Sequence, residues 1–352
     1  MASIGIAGAG VAGRLLAYQL ALRGHRVTVF DPASGPEPAG DGQGAAGFTA
    51  AGMLSPLAEL EHAPAEVAQL GARSLPLWQQ VAAALAAQLG TRPDTYLRCA
   101  GSLLLAHPSD AGSAARVLAR LEVAPQLVAD LAAPQALSAA ELGALEPELA
   151  PGLRGWLLAG EGQVFPYALL PALVAASEAV WCWNSRVSQL APGRLTLADG
   201  DKLAFDWVID ARGLGAKDAL PLRGVRGEVV WLHAPGVALQ RPMRLMHPRH
   251  RVYMVPRPGD VIVVGASEIE SADRSPVSLR SAVELMAAAH SAMPSLAEAR
   301  ILHLETNLRP ALPDNLPQTD IEPGLIRLNG LFRHGWLMAP ALVDDAIAAA
   351  GL

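Results

Sequence analysis

"SIGIAGAGVAGRLLAYQLALRGHRVTVFD", residues 3–31, decides the fold. "SIGIAG" (3–8) is a short apolar run that ends in glycine and predicts a buried strand. "AGRLLAYQLALRG" (12–24) carries its apolar residues at helical spacing and stops at Gly24. "RVTVFD" (26–31) predicts a second strand, ending in an acid. Between the first strand and the helix, Gly8, Gly10 and Gly13 form G-x-G-x-x-G. The first glycine permits a tight turn, the second lets backbone approach a pyrophosphate, and the third lets helix and strand pack closely. A phosphate then sits at the helix N-terminus, where free N–H groups and the dipole favour negative charge. Asp31, eighteen residues past Gly13, is placed to bond a ribose hydroxyl. A glycine triplet alone fits a tight turn without a ligand. In this strand–helix–strand context, with the terminal acid, it indicates a bound adenine dinucleotide. It leaves NAD and FAD both open.

The chain has 352 residues, enough for one large or two modest domains. Hydrophobic residues make up 51% and charged residues 17%, which provides a core and argues against disorder. The net charge is −6 and the only lysines are Lys202 and Lys217, so a general nucleic-acid surface is not expected. One basic concentration, "RPMRLMHPRHRVYMVPR" (241–257), holds Arg241, Arg244, Arg249, Arg251 and Arg257. It reads as solvated turns flanking strands, or else as a site for an acidic ligand. Cys99 and Cys182 have no CxxC partner or metal-ligand spacing and are expected as buried thiols in a reducing, cytoplasmic compartment. No metal site is expected. No apolar run reaches the roughly 18 residues of a membrane span, and the N-terminus lacks the basic leader of a signal peptide.

Further along, "PASGPEPAGDGQGAAG" (32–47) is a Pro/Gly-rich loop, and alanine-rich helix is predicted over 64–90 and 111–150. "GSLLLAH" (101–107) lies between these helices as a strand. "RLTLADGDKLAF" (194–205) predicts a hairpin and "WVIDARG" (207–213) a buried strand running into a glycine turn. "RGEVVWLHA" (226–234), "RVYMVPR" (251–257) and "DVIVVGAS" (260–267) suggest an antiparallel sheet, followed by an amphipathic helix over 279–293. Strands at 299–310 and 324–330 precede a last helix from about Gly335. The order is parallel α/β, then antiparallel β, then a return to strand and helix. That predicts a Rossmann-like nucleotide-binding domain interrupted by an α+β domain on an antiparallel sheet. The expected division is 1–92, 152–217 and 305–352 for the first domain, and 93–151 and 218–304 for the second.

"GLFRHGWLMAP" (330–340) places an arginine and a histidine side by side in an otherwise glycine and apolar run. Charges are expensive to bury unless something pairs with them. A second helix N-terminus here suits the electron-rich edge of a flavin, which gains negative charge on reduction.

These segments together resemble the D-amino-acid-oxidase-like flavoenzymes, most closely the glycine oxidase and thiamine-biosynthesis (ThiO) type. "TAAGMLSPLAE" (49–59) is similar to the segment that lies against the flavin ring, and "GQVFPYALLPAL" (162–173) to the family's GxVxP helix start. "VIDARGLGA" (208–216), "LRGVRGEVV" (222–230), "NLRPALPDNLP" (307–317) and "GLFRHGWLMAP" follow in the family's order. The resemblance implies non-covalent FAD. It implies oxidative deamination of glycine or another small amine or D-amino acid to the imine, with flavin N5 as hydride acceptor, no acid–base catalytic residue, and O2 reduced to H2O2. It places Gly8, Gly10, Ala12 and Gly13 at the pyrophosphate, Asp31 at the ribose and Val187 at the adenine side. It places Ala51, Gly52, Met53, Gly213, Gly330, Leu331, Phe332, Arg333, His334, Gly335, Trp336 and Leu337 around the flavin. Arg309 would grip the substrate carboxylate, with Arg333 and Tyr253 as further substrate contacts. Departures lie at Gly47 and Phe48, where small polar residues are common in the family, and at Ser267, a position that varies.

Plainer readings stand beside these. Arg309 could form a structural bridge to Asp314, Tyr253 could be a core tyrosine, and Met53 could be plain packing. Arg333 could be a surface residue, His334 only a backbone contributor, and Trp231 and Trp336 core or pocket wall. Rival functions are a D-amino-acid dehydrogenase with a quinone acceptor, an MnmC-like tRNA-modifying oxidase, and a flavin-binding protein without turnover. A homo-oligomer is compatible with the sequence.

Overall fold

A computed structural model of the chain describes residues 1–38, 44–246 and 251–352, and of Arg251 the backbone alone. Arg249 and the middle of the 32–47 loop lie outside the described residues. The predicted βαβ unit is present as strand Ser3–Ala7, helix Val11–Leu22 and strand Arg26–Phe30. It forms the centre of a six-stranded sheet in the order 318–322, 325–329, 207–210, 3–7, 26–30, 180–182. All neighbours are parallel except Gln318–Glu322. Side chains alternate across a strand, and the two faces are covered differently. Ile4 and Ile6 are fully buried in a core shared with the helices Val11–Leu22, Ala65–Leu89 and Gly335–Ala350. Burying each such side chain contributes about 1.5–3 kcal/mol. On the other face Ala7, Phe30 and Val208 pack under a three-stranded antiparallel unit, Val187–Ala191, Arg194–Leu197 and Lys202–Ala204.

The second sheet has eight strands, in the order 300–311, 223–233, 261–265, 251–257, 243–246, 102–106, 154–158, 135–137. Its pairs are antiparallel, as expected, except that Met243–Met246 runs parallel to Ser102–Ala106. Helix Leu279–Ala292 covers one face through Leu285 and Ala289, against Val230, Leu232, Met254 and Val264. The longest strand, Arg300–Ala311, pairs with Arg223–His233 along its length. Trp231 opposes His303 and Leu232 opposes Ile301, so Leu302 is a bulge residue without an opposite number. The sheet takes in Arg154–Leu158 and all of Arg300–Ala311, so the expected boundaries at 152 and 305 cut across it.

Three further expectations are corrected. The helix over 111–150 is broken into Ala111–Leu121, Ala124–Leu127 and Ala139–Leu145, with strand Gln135–Leu137 between. Pro125 and Pro134 interrupt the alanine-rich pattern, and Ser138 restarts a helix through a capping box with Glu141. Met243–Met246, inside the basic stretch, is a strand and not a turn. Cys99 and Cys182 are unpaired, but Cys99 is exposed and Cys182 half-buried.

Candidate functional site

The face of the large sheet opposite helix Leu279–Ala292 looks onto the nucleotide-binding half. A cavity of about 1530 Å³ is lined by both and reaches round to the start of helix Leu279–Ala292. That exceeds the roughly 300–1,000 Å³ of a drug-sized pocket and suits an extended dinucleotide with a substrate beside it.

At one end is the glycine turn. Gly8 adopts φ 101°, open to glycine at little cost. A Cβ on Gly13 would collide with the Gly8 carbonyl, so Gly13 sits behind the turn and not on the cavity. A Cβ on Gly10 would meet nothing within 4 Å. Among the described residues no side chain caps helix Val11–Leu22, and no acid lies in its first turn. An open, uncapped helix N-terminus is what a dinucleotide phosphate requires. Asp31 Oδ2 accepts from the Ala9 N–H at 2.6 Å and Oδ1 from the Ala33 N–H at 2.8 Å, so it braces the turn. Each oxygen keeps a lone pair for a hydroxyl. Val187 and Gly213 also line the cavity, and the Val187 carbonyl accepts from Arg212 at 3.3 Å.

Ala51, Gly52 and Met53 form the middle of the wall. Gly52 holds φ 69°, and its carbonyl accepts from the Val164 N–H at 2.8 Å. The Ala51 carbonyl accepts from Arg257. Leu331, Phe332, Arg333, His334, Gly335, Trp336 and Leu337 close the opposite side, while Gly330, at φ 74°, makes the turn behind them. The Trp336 indole runs into the core, donating to the Gly47 carbonyl at 3.0 Å and packing on Trp78 at 5.6 Å between centroids.

At the far end Arg309 and Tyr253 face the cavity from the large sheet. Arg244, Tyr253, Gly265 and Val229 form one cross-strand row and hence share a face. Two glycines make room here. A Cβ on Gly265 would lie 2.5 Å from the Tyr253 hydroxyl, and one on Gly227 would lie 2.7 Å from the Arg309 guanidinium carbon. Burial raises the Tyr253 pKa and lowers that of Arg309. Arg309 donates to the carbonyls of Arg226 and Ser267 at 3.2 and 3.1 Å. Its alternative partner Asp314 instead accepts from the Leu316 N–H. Among the described residues Arg309 bonds no carboxylate, which leaves a half-buried cation beside open space.

Arg333 is held differently. Its Nη2 meets Glu59 at 2.6 Å and its Nη1 meets Glu268 at 3.3 Å. Burial works against its charge, but the two carboxylates outweigh that and raise its pKa. The charged pair at 333–334 thus has a protein partner in Glu59, which also binds Arg244 at 3.1 Å. Burial opposes the Glu59 charge as well, yet the two arginines hold this carboxylate well below its usual range. His334 Nδ1 lies 3.4 Å from Glu59 Oε2 without a satisfied hydrogen bond. Burial pushes its pKa down to about 4, so the ring is neutral at pH 7 and is not an ion-pair partner.

The sequence reading missed Glu59 as a hub, although it ends the quoted "TAAGMLSPLAE". It also read the basic stretch that holds Arg241, Arg244 and Arg257 as solvated turns flanking strands, or else as a site for an acidic ligand. Arg241 pairs with buried Glu146 at 3.0 Å, and Arg244 and Arg257 serve the cavity wall. Of the four bulky wall candidates, Met53, Tyr253 and Trp336 border the cavity. Trp231 instead donates to Glu305 at 3.2 Å and stacks between Tyr167 and His303.

The family model described as "FAD dependent oxidoreductase" (DAO) matches residues 3–346. A putative thiamine biosynthesis oxidoreductase ThiO from Rhizobium etli is 37% identical over 340 residues, covering 96% of this chain and 93% of its own. The crystal structure of glycine oxidase from Geobacillus kaustophilus superposes with a TM-score of 0.79 at 26% identity, over 99% of this chain and 95% of that one. That of glycine oxidase from Bacillus cereus gives 0.82 at 22% identity, over 100% and 95%, and speaks for the fold.

Proposed function

The chain belongs to the DAO family of FAD-dependent oxidoreductases, and from that premise we propose that it oxidises glycine or a similarly small amino acid to the imine. The imine then hydrolyses to oxo acid and ammonia or enters thiazole synthesis, in keeping with the thiamine biosynthesis named for the Rhizobium etli relative. O2 is the proposed electron acceptor and is reduced to H2O2. FAD, when bound, supplies the hydride acceptor. The chain supplies binding and orientation. Gly8, Gly10 and Ala12 would hold the pyrophosphate, Asp31 the ribose, and segments 51–53 and 331–337 the flavin. Arg309 carries the reading. It is a half-buried guanidinium on the cavity, fixed by two carbonyls and bonded to no described carboxylate. Its remaining N–H groups suit a bidentate carboxylate, a geometry arginine provides and lysine does not. Arg333, anchored by Glu59, adds positive charge, and Tyr253 bounds the space beyond. Positioning of this kind accounts for a large share of catalysis when the reacting carbon is held at one angle.

Among the described residues no helix is long and apolar enough to cross a membrane. With two unpaired cysteines, a cytoplasmic enzyme is the reading we adopt. Purified protein should be yellow, release all its flavin on acid denaturation, and produce peroxide with glycine or sarcosine. Ethylamine, which lacks the carboxylate, should be inert. Peroxide from ethylamine at a rate matching glycine would remove the carboxylate clamp, and flavin retained by the denatured chain would overturn non-covalent binding.

A further inference from the structure

Residues 44–48, which border the helix N-terminus, carry no polar side chain. Gly44, Ala45, Ala46, Gly47 and Phe48 all line the cavity, and none has a side-chain donor. Gly47 and Phe48 are the positions where small polar residues are expected from the family resemblance. A diphosphate at this end would therefore find backbone N–H groups but no side-chain donor from residues 44–48.

Arg14 occupies the gap. It lies in the first turn of helix Val11–Leu22, is 2% exposed, and lines the same cavity as Gly10 and Asp31. Its Nε donates to the Ala9 carbonyl at 2.7 Å and its Nη1 to the Pro36 carbonyl at 2.8 Å. The guanidinium lies over the rings of Phe48 at 5.2 Å and Trp183 at 5.6 Å. Phe48, the residue that departs from the family pattern, is thus a platform for the cation. Among the described residues the bonds of Arg14 go to carbonyls and not to a carboxylate, and the nearby Asp31 is engaged by the Ala9 and Ala33 N–H groups. Burial lowers the Arg14 pKa to about 10, against the pull of Asp31 and Glu37, which still leaves it charged at neutral pH. A buried cation with no contacting anion is costly unless a ligand brings one.

We propose that Arg14 is a side-chain ligand of the FAD diphosphate, donating through Nη2 and replacing the polar groups absent from residues 44–48. The inference rests on the FAD-dependent reading above. Apoprotein is titrated with FAD by flavin fluorescence, with ADP and adenosine as competitors. Arg14→Gln should raise the Kd for FAD and for ADP by about 10- to 100-fold, the range for losing one charge-assisted bond. Adenosine, which lacks the phosphates, should bind unchanged. Arg14→Lys should fall between wild type and Arg14→Gln. Equal losses for ADP and adenosine would make Arg14 a loop clamp, and unchanged ADP binding would exclude any phosphate contact. Either result overturns the proposal. If circular dichroism shows Arg14→Gln misfolded, the ratio of ADP to adenosine affinity in Arg14→Lys decides, since it must fall below wild type. A wild-type apoprotein that binds neither FAD nor ADP would instead sink the FAD reading.

Discussion

Arg309 and His334 show how one environment sets opposite fates for two cations. Arg309 keeps its charge because guanidinium is too strong a base for burial to neutralise, so it waits for an anion. Arg309→Lys keeps the charge and loses the fork. Breaking a buried charge-assisted pair costs on the order of 2–5 kcal/mol, so kcat/KM for glycine should fall roughly 30-fold or more, with FAD content unchanged. Unaltered kcat/KM would return Arg309 to a structural role. His334 yields to burial, its pKa falling from 6.5 to about 4. Between those values the unfolded chain holds a proton on this ring that the folded chain does not. Folding stability must therefore fall as pH drops from about 6.5 toward 4, and be unaffected by this ring above that window. Melting temperature measured across that window should be steeper for wild type than for His334→Asn. Parallel curves would show that another group dominates the acid limb.

At the scale of elements, the strand–turn–helix at residues 3–22 separates two uses of glycine that its motif treats alike. Gly13→Ala would drive a methyl onto the Gly8 carbonyl and should lower the melting temperature of the apoprotein itself. Gly10→Ala meets only open space, so the apoprotein should melt as wild type while FAD binding weakens by about tenfold or more, because the methyl fills the phosphate's place. Equal effects on apoprotein stability would contradict this division. This unit was legible from sequence because its signals are local, with apolar spacing, glycines and a terminal acid all within about thirty residues. The place of Arg309 on the cavity wall was legible only through the resemblance, since an Arg-Pro pair at a strand end carries no signal of its own. Met243–Met246 was not legible. Prolines and arginines mask its alternation, and it is set between two strands, Arg251–Arg257 beside it and Ser102–Ala106 far away in sequence. Glu59 escaped for the same reason, because its partners Arg244 and Arg333 come from remote segments. Trp231, read as core or pocket wall, shares the sheet face of Val229 but sits farther along the strand, against Tyr167 and His303, and no local pattern reveals where along a strand the cavity stops.

Across the whole molecule, the cavity is lined from both sheets, with Met53 and Tyr253 among its bulky wall residues. Small amines should win. Each methylene that fails to fit is worth about 1–3 kcal/mol, so D-alanine should be weakened and D-phenylalanine lost in steady-state peroxide release. Faster turnover of D-phenylalanine than of glycine would leave the family intact and the proposed substrate wrong. The long strand Arg300–Ala311 ties the large sheet to this end of the cavity, and its bulge at Leu302 divides it into two unequal parts. A residue inserted at the exposed outer end, before Leu302, can be taken up by enlarging the existing bulge. The same insertion between Leu302 and Arg309 would invert the pleat and turn the guanidinium away from the cavity. One end of the strand is thus free to drift in length over evolutionary time, while the other is locked in count, and sequence change there must come by replacement alone.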